Sequence, residues 1–304
     1  MSNPVKNKSI FKTPYLFLVP AVFFYLLFWF IPVMMSFFDS ITAIDGGLSF
    51  ENFRNMFADP LFVQAFRNTA IFAFVSLVIQ FVIALLLALL INRNFKGSKI
   101  FLFIMLIPMA IPPSAVGILW NTGLVQSGWI NSMLASTGIQ HFLEVLRIVD
   151  GPIIWKQASN LQAVFLIILI DSWSVLPSVM IIILAGLQNY NKEFSEAALV
   201  FGANRFQAIK DIVIPIIKPT LISALVLRLI AGLQVWLISV MIFGFRNVPF
   251  LLERIVFFTD RLRDDPSAYK IAVSYSMFVV AFVGIVAMLF VKLTSRKDWR
   301  SANE

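Results

Sequence analysis

The sequence predicts an all-α, polytopic membrane protein with six transmembrane helices. Its 304 residues are 60% hydrophobic and 13% charged, whereas soluble domains average about 45–50% apolar and about 25% charged residues. A helix needs about 20 consecutive apolar residues to cross the hydrocarbon layer, and six runs meet that length. The predicted spans are 14–38, 68–91, 100–120, 161–187, 219–245 and 271–291. Membrane lipid is therefore the expected surroundings of most of the chain.

The first apolar run holds about 25 residues, more than the 7–15 of a signal-peptide core, so we expect it to remain as the first span. Six spans place both ends of the chain on one side. Lys and Arg are more frequent in the segments on that side, as expected of the cytoplasmic face. The clearest marker is 92–99, with Arg93, Lys96 and Lys99 and no acid. Residues 1–13 and 294–304 are thus predicted to be cytoplasmic tails. The loop 246–270 does not follow the charge bias, because it is basic although this orientation places it outside.

The composition also excludes several kinds of chemistry. The chain has no cysteine and His141 is its only histidine, so thiol catalysis, disulfides and the usual zinc sites are not expected. We predict no catalytic residues and no metal site. The net charge of +8 is explained by the cytoplasmic bias of Lys and Arg, and no nucleic-acid partner is needed.

Two charged residues lie within predicted spans, Asp171 in the fourth and Arg228 in the fifth. Each costs roughly 2.5–3.5 kcal/mol at the centre of a membrane helix, so both should face protein or water. They lie at comparable depth on consecutive spans, which favours an ion pair. A proton-relay carboxylate at Asp171 is the alternative.

Prolines interrupt two of the spans. Pro108, Pro112 and Pro113 fall in the third and Pro177 in the fourth. Backbone groups freed by such breaks must pack against other helices or line a cavity. For any single proline we favour a role in helix packing, and a role in lining a cavity is the alternative.

The polar segment 188–218 predicts a helix–turn–helix elbow outside the lipid. Ser195 or Asn191 is expected to cap its first helix, and Gly202 to end it in the left-handed conformation. Asn204 with Gln207 resembles a capping box for the second helix, which is expected to stop before Pro215. The small residues at the turn would let another protein approach closely. An amphipathic elbow lying on the membrane surface is the alternative.

The elbow carries a specific resemblance. Glu196-Ala197-Ala198, three residues, Gly202 and Ala203, then Ile212-Val213-Ile214-Pro215 resemble the coupling motif of ABC importer permeases, Glu-Ala-Ala-x3-Gly-x9-Ile-x-Leu-Pro. Ile214 stands where leucine is usual, and Phe201 where the sugar-type branch often has aspartate.

The similarity covers nearly the whole chain and is strongest to the sugar-uptake branch, the maltose- and glycerol-phosphate-type permeases. The further matching segments are Asn52-Phe53, Arg67-Asn68-Thr69, Asn92-Arg93 with Gly97, Gly128-Trp129-Ile130-Asn131 with Leu134, 171–177, 185–188 and Leu227-Arg228. The chain departs from the family at 245–249, where Phe-Arg-Asn-Val-Pro replaces Thr-Gly-Gly-Gly-Pro.

The resemblance implies a type I ABC importer permease, with its permease domain at 68–293, in the plasma (inner) membrane of a bacterium or archaeon. Such a chain is a transporter subunit and not an enzyme. ATP and magnesium would bind to partner subunits, and this chain would hold no cofactor. The sequence agrees, because it has no Gly-x4-Gly-Lys-Ser/Thr phosphate-binding loop.

The resemblance also implies the partners: a second homologous permease, two ATP-binding subunits and an extracytoplasmic solute-binding protein. The elbow would dock on an ATP-binding subunit, with Glu196 meeting a basic residue, Ala197 and Ala198 in close contact and Gly202 at the turn. The implied solute is a sugar, an oligosaccharide or a polyol phosphate. Its path would be lined by four residues of the fourth and fifth spans: Ser174, Ser178, Gln234 and Trp236.

Three other functions stay open at this point. An ABC permease for a non-sugar solute would share the motif. A polytopic membrane enzyme would need clustered reactive groups, and the only acidic cluster, Asp260, Asp264 and Asp265, alternates with arginines as solvated loops do. A secondary transporter would be expected to show an inverted repeat, and none is evident between the two halves of the sequence.

Overall fold

The computed structural model describes residues 13–262 and 264–301, and in these ranges the chain is almost entirely helical. Thr42 and Leu48 form an isolated antiparallel β-bridge. The α-helices are α1 (Thr13–Tyr25), α2 (Ile31–Ser40), α3 (Glu51–Phe57), α4 (Phe62–Asn92), α5 (Ser98–Leu106), α6 (Pro113–Gly123), α7 (Trp129–Ser136), α8 (Ile139–Val145), α9 (Asn160–Asn189), α10 (Glu193–Val200), α11 (Arg205–Ala208), α12 (Ile214–Leu233), α13 (Leu237–Phe243), α14 (Leu251–Val256) and α15 (Pro266–Ser301).

Five helical stretches are long and apolar enough to cross a membrane, and a bent pair raises the number to six. The five are Phe17–Ser40, Phe62–Asn92, Asn160–Asn189, Arg205–Leu233 and Pro266–Thr294. The predicted fold class is confirmed. The predicted N-terminal tail lies outside the described residues except for Thr13, which begins α1. The predicted C-terminal tail is a continuation of α15 as far as Ser301.

The third span, predicted as one helix over 100–120, is broken. Ser98–Ala110 and Pro113–Gly123 meet at 93°. Ile111 and Pro112 both adopt extended backbone angles at the bend, because each precedes a proline and the α conformation is disfavoured there. The proline signal in the sequence thus marks a sharp bend in this span.

The fifth span also differs from its predicted bounds. Its helix starts in the elbow at Arg205 and runs to Leu233, so the expected stop before Pro215 is wrong. A π-helical turn, Ile209–Val213, precedes Pro215, and such a turn relieves the clash between a proline ring and the preceding turn. The span is then interrupted at Gln234–Trp236 before α13 begins.

Helices α4, α9 and α12 form the centre of the bundle, with α12 antiparallel to the other two. One apolar cluster packs the three helices together near the C-terminal ends of α4 and α9, and a second packs the N-terminal halves of α4 and α9 against α6 and α13. Small residues allow close approach: a Cβ added to Gly232 of α12 would lie 3.2 Å from the Ala73 Cα of α4. By contrast, the side chains of the first span are mostly exposed. Its α2 part meets α15, where Lys270 Nζ lies 3.1 Å from Asp39 Oδ1.

Candidate functional site

Two charged side chains inside the spans meet in the middle of the bundle. Asp171 of α9 and Arg228 of α12 are only 6% and 5% exposed. Arg228 Nη2 donates to Asp171 Oδ2 at 2.5 Å. A buried ion pair is tolerated when other hydrogen bonds satisfy its remaining polar atoms, and here the neighbouring helix supplies them.

Those bonds come from α4 and were not predicted. Gln80 Nε2 donates to Asp171 Oδ2 at 2.9 Å, and Gln80 Oε1 accepts from Arg228 Nε. Ser76 Oγ accepts from Arg228 Nη2 at 3.2 Å. We call Ser76, Gln80, Asp171 and Arg228 the central network. The sequence did carry a signal for it, since Ser76 and Gln80 are four residues apart, on one face of the otherwise apolar stretch 70–91 of α4.

The central network borders a cavity of about 280 Å³. Three of the four predicted path residues line it, namely Ser174, Gln234 and Trp236, while Ser178 does not. The remaining lining residues are Pro113, Asp171, Val175, Arg228, Ala231, Val235, Leu237 and Ile238. Pro113 begins α6 directly after the bend of the third span, so this bend faces the cavity. Pro177 is buried within α9 instead.

The cavity lies where the fifth span is interrupted. Gln234 and Trp236 occupy the break between α12 and α13, and irregular backbone at membrane depth is tolerated where it faces protein or a cavity. In the described part of the chain no group hydrogen-bonds the side-chain amide of the exposed Gln234. The Ser174 hydroxyl donates to the Asp171 carbonyl at 3.1 Å and can still accept a bond. The wall thus combines an aromatic ring, an amide and a hydroxyl, which are the groups that bind sugar rings and hydroxyls.

The elbow has the predicted turn and capping box. Gly202 ends α10 with φ +92°. Asn204 Oδ1 accepts from Gln207 N at 2.9 Å, and Gln207 Oε1 accepts from Asn204 N at 2.8 Å. Of the two candidate caps for the first helix, Asn191 bonds Glu193 N at 3.0 Å, whereas Ser195 lies inside α10.

Most of the motif residues of the elbow are accessible. Glu196, Ala197, Gly202 and Pro215 are exposed, and Ala198 and Ala203 are half-buried. Glu196 makes no ion pair within residues 13–262 and 264–301. The tip is also apolar: Val200, Phe201 and Phe206 are 85%, 90% and 71% exposed. Large apolar side chains presented together in this way mark a surface that contacts protein or membrane.

A second buried charged cluster, which the sequence analysis did not predict, lies at the end of the bundle opposite the elbow. Arg254 Nε donates to Asp59 Oδ2 at 2.8 Å, and Tyr275 Oη donates to the same oxygen at 2.6 Å. Arg254 lies 4.6 Å and 4.9 Å from the ring centroids of Phe257 and Phe258. We call Asp59, Arg254 and Tyr275 the end cluster. It joins α14 to α15 and to the turn before α4.

Glu253 is next to the end cluster and is only 1% exposed. Its Oε1 accepts from Arg246 N at 3.0 Å, while its Oε2 has no partner in the part of the chain that is described. Burial raises the pKa of the Glu253 carboxyl above its usual value, and the Arg246 backbone bond and the Arg254 charge oppose this only in part.

Several residues that carry the family resemblance hold connecting segments in place. Asn68 Nδ2 donates to the Pro249 carbonyl at 2.9 Å, and Thr69 Oγ1 accepts from Leu251 N at 3.0 Å. Asn131 Nδ2 donates to the Gln126 and Ile153 carbonyls, both at 2.9 Å. Asn52 Nδ2 bonds the carbonyls of residues 40 and 42. These positions contribute to structure and do not reach the cavity. No group of residues able to hold a metal ion occurs among the described residues.

Solved structures with the same architecture are transporters. The chain superposes on the crystal structure of a bacterial ABC transporter involved in the import of the acidic polysaccharide alginate, with a TM-score of 0.79, 24% identity and coverage of 93% of this chain and 95% of that one. A complex of a bacterial alginate ABC transporter with an alginate pentasaccharide-bound periplasmic protein gives 0.77, at 24% identity and 93% and 94% coverage. At this identity the likeness concerns the fold.

Sequence comparison identifies the family. The trehalose/maltose transport system permease protein of Thermococcus litoralis is 31% identical over 232 residues, 74% of this chain and 75% of that protein. A probable ABC transporter permease protein of Bacillus subtilis is 29% identical and covers 95% and 94%. The sn-glycerol-3-phosphate transport system permease protein of Yersinia enterocolitica is 30% identical and covers 76% of each.

The matching family model spans residues 80–297, which include the cavity, the elbow and all of the central network except Ser76. The predicted resemblance is confirmed: the chain belongs to the family of binding-protein-dependent transport system inner membrane components, and it is the permease of such an ABC importer.

Proposed function

We propose that this permease moves a saccharide or a polyol phosphate through the cavity beside the central network. The observation that carries the proposal is the convergence of Ser174, Gln234 and Trp236 at the break of the fifth span. A broken span supplies irregular backbone at membrane depth, as solute sites in transporters require. The names of the relatives, which include trehalose, maltose and glycerol phosphate, support the solute class.

The cavity in one chain is small, about 280 Å³. A second homologous permease would complete the path, and an extracytoplasmic solute-binding protein would deliver the solute. The side chains of the first span are mostly exposed in the single chain, which supports a contact between this span and another protein or lipid. We therefore propose an assembly of two permeases, two ATP-binding subunits and one binding protein. This chain would act as a transporter subunit without catalysing a reaction, and ATP and magnesium would bind the partner subunits.

The elbow would couple ATP hydrolysis to movement of the path. Helices α11 and α12 form one continuous stretch from the elbow to the cavity, so a push on the elbow would be transmitted to the break at Gln234. Val200 and Phe201 would enter an apolar groove on an ATP-binding subunit, and Glu196 would meet a basic residue there. The segment 93–97 lies at the same end of the bundle and is basic, which supports a cytoplasmic elbow and cytoplasmic termini.

The test is ATP-dependent uptake by proteoliposomes that contain the complete importer. Gly202→Val is expected to abolish uptake while the protein remains in the membrane, because a β-branched residue is strained at φ +92°. Gly46→Val is the matched control, since Gly46 has φ +90° and, like Gly202, has open space where a Cβ would be added. Normal uptake by the Gly202 variant would overturn the coupling role. Uptake that follows an ion gradient and ignores ATP would overturn the importer assignment.

A further inference from the structure

The elbow is attached to the bundle by two joints of different kinds. On one side α11, the π-helical turn and α12 follow one another without a break. On the other side α9 ends at Asn189, Tyr190 adopts extended backbone angles (φ −85°, ψ 147°), and α10 begins only at Glu193. Among the described residues no backbone hydrogen bond connects α9 with α10. The α9 joint can therefore bend, whereas the α12 joint is a continuous helix.

A side-chain hydrogen bond spans the joint that can bend. Tyr190 Oη and Ser195 Oγ are 3.0 Å apart. The Ser195 hydroxyl has a single hydrogen, which it donates to the Lys192 carbonyl at 2.9 Å, so the Tyr190 phenol is the donor in the first bond. The two bonds form a short chain that runs from the end of α9 to the first turn of α10, and in such a chain each bond strengthens the other.

Tyr190 itself is held on the bundle side of the joint. Its ring packs against the apolar cluster near the C-terminal ends of α4 and α9. It also lines a cavity of about 450 Å³ between the two joints, together with Asn189 of α9 and Ile216 and Thr220 of α12. One turn before Tyr190 the helices are in close contact, since a Cβ added to Gly186 would lie 2.9 Å from Thr220 Cγ2. The cavity thus leaves room for the elbow to tilt about this contact.

The helices of the elbow pack on one another, and α10 contacts both α11 and the π-helical turn. A force on the exposed tip therefore reaches α12 directly but reaches α9 only across the joint. Both helices line the cavity beside the central network, α9 with Ser174 and α12 with Gln234. We propose that Tyr190 is a positioning residue for transport, whose bond to Ser195 makes α9 move in step with α12 when the elbow is displaced. The inference rests on the proposed function, in which the elbow docks on an ATP-binding subunit.

The coupling motif does not imply this contact. The segments that carry the family resemblance end at Gln188 on one side of the joint and begin again at Glu196 on the other. Tyr190→Phe is the informative variant, because it keeps the ring in the apolar cluster and removes only the phenol hydroxyl. It also leaves the exposed tip at Val200 and Phe201 unchanged, so docking of the elbow is not altered directly.

The first experiment uses the complete importer in proteoliposomes and measures the solute taken up per ATP hydrolysed. The probes are labelled maltose, trehalose and sn-glycerol 3-phosphate, each supplied with the solute-binding protein of the importer. Tyr190→Phe is expected to lower this ratio about two- to tenfold, the effect of one hydrogen bond, while ATP hydrolysis continues. A loss of folded protein would lower uptake and hydrolysis equally, so the ratio separates positioning from stability.

Three further variants isolate the bond. Ser195→Ala removes it from the other side and should lower the ratio as much, and the double variant should be no lower than either single variant, because all of them lose one shared interaction. Ser195→Thr keeps a hydroxyl and should keep the native ratio. Tyr269→Phe is the matched control, since it removes a phenol that lies 3.4 Å from Asp39 Oδ2 at the opposite end of the bundle.

A second experiment does not depend on the solute. Because the chain has no native cysteine, spin labels at Gln188→Cys on α9 and Leu199→Cys on α10 report the distance across the joint. Both positions are exposed. Tyr190→Phe is expected to broaden the distance distribution in the nucleotide-free complex, and Tyr269→Phe is expected to leave it unchanged.

The outcomes are distinct. Either a native ratio or an unchanged distance distribution in Tyr190→Phe would overturn the inference and leave the proposed function intact. A native ratio in Ser195→Ala would overturn the role of the bond. If the native importer takes up none of the probes in response to ATP, the proposed function itself fails, and the distance distributions then decide whether Tyr190 restrains the joint.

Discussion

The molecule contains two buried arginine–aspartate pairs, and they differ in what surrounds them. In the central network, Arg228 and Asp171 are bonded by side chains of a third helix, α4, and border a cavity. In the end cluster, Arg254 and Asp59 are enclosed by Tyr275 and the rings of Phe257 and Phe258. The same chemistry therefore borders a cavity in one place and fastens helices together in the other.

The comparison also shows how complete the hydrogen bonding is. Arg254 Nη1 is buried without a partner among the described residues, whereas no atom of the central network is orphaned in this way. An unsatisfied buried polar group costs about 1–3 kcal/mol, so the end cluster is the less favourable of the two arrangements. We expect it to respond more to pH and to small changes in packing.

The largest expected effect is the loss of one partner from either pair. Arg228→Met and Arg254→Met should each lower the free energy of unfolding by about 3–5 kcal/mol, because a carboxylate is left buried without its counter-ion. Titration with SDS in mixed micelles measures this. Adding Asp171→Asn to Arg228→Met should recover much of the loss. If the double variant is no more stable than Arg228→Met alone, the two side chains are not energetically coupled.

A smaller effect is expected when the end cluster loses one hydrogen bond. Tyr275→Phe removes the phenol that donates to Asp59 at 2.6 Å and keeps the ring among its aromatic neighbours. A hydrogen bond to a charged group contributes about 1.5–3 kcal/mol. Stability should fall by that amount while the KM for uptake stays the same. A raised KM with unchanged stability would place this cluster on the solute path.

Two serines of α9 allow the effect of the cavity to be distinguished from the effect of the helix itself. Ser174 and Ser178 each donate to a carbonyl three residues earlier, at 3.1 Å and 2.7 Å, but only Ser174 lines the cavity. Ser174→Ala should raise the KM for uptake roughly two- to tenfold, the value of one hydrogen bond to solute. Ser178→Ala should have a smaller effect. The reverse order would place the path further along α9.

The smallest expected effect is a pH dependence that arises beside the end cluster. Burial raises the pKa of Glu253, so its ionisation is harder in the folded state than in the unfolded chain. Its contribution to stability is then full below the unfolded pKa of about 4.3 and is lost as pH rises through the raised folded pKa. Glu253→Gln should flatten this part of the profile of unfolding temperature against pH. Identical profiles for both proteins would remove Glu253 as the titrating group.

The sequence was sufficient for the class of fold and for one of the two pairs. Asp171 and Arg228 were recognisable because a charge is costly in a long apolar run. Asp59 and Arg254 were not, because loop charges were assumed to be solvated. The basic loop 246–270 did not fit the charge bias of the predicted orientation. The structure explains part of this excess of positive charge, because Arg254 and Lys270 both have carboxylate partners.

Of the two breaks in the spans, the sequence likewise predicted one and not the other. The bend of the third span was signalled by its prolines, because proline and the residue before it restrict the backbone locally. The interruption at Gln234–Trp236 has no such local signal. It depends on the packing of α12 and α13 against α4, α6 and α9, which a single sequence does not display.

The most direct measurement of the solute path uses the absence of native cysteine. A single Gln234→Cys variant, in the complete importer, places a thiol in the cavity. Leu227→Cys places one on an exposed side of α12 outside the cavity, where we expect lipid or an apolar partner surface to disfavour the reactive thiolate. We expect a water-soluble thiol reagent to modify only the first, and saccharide to slow that modification. Modification of Gln234→Cys at the same rate with and without solute would contradict a path through this cavity.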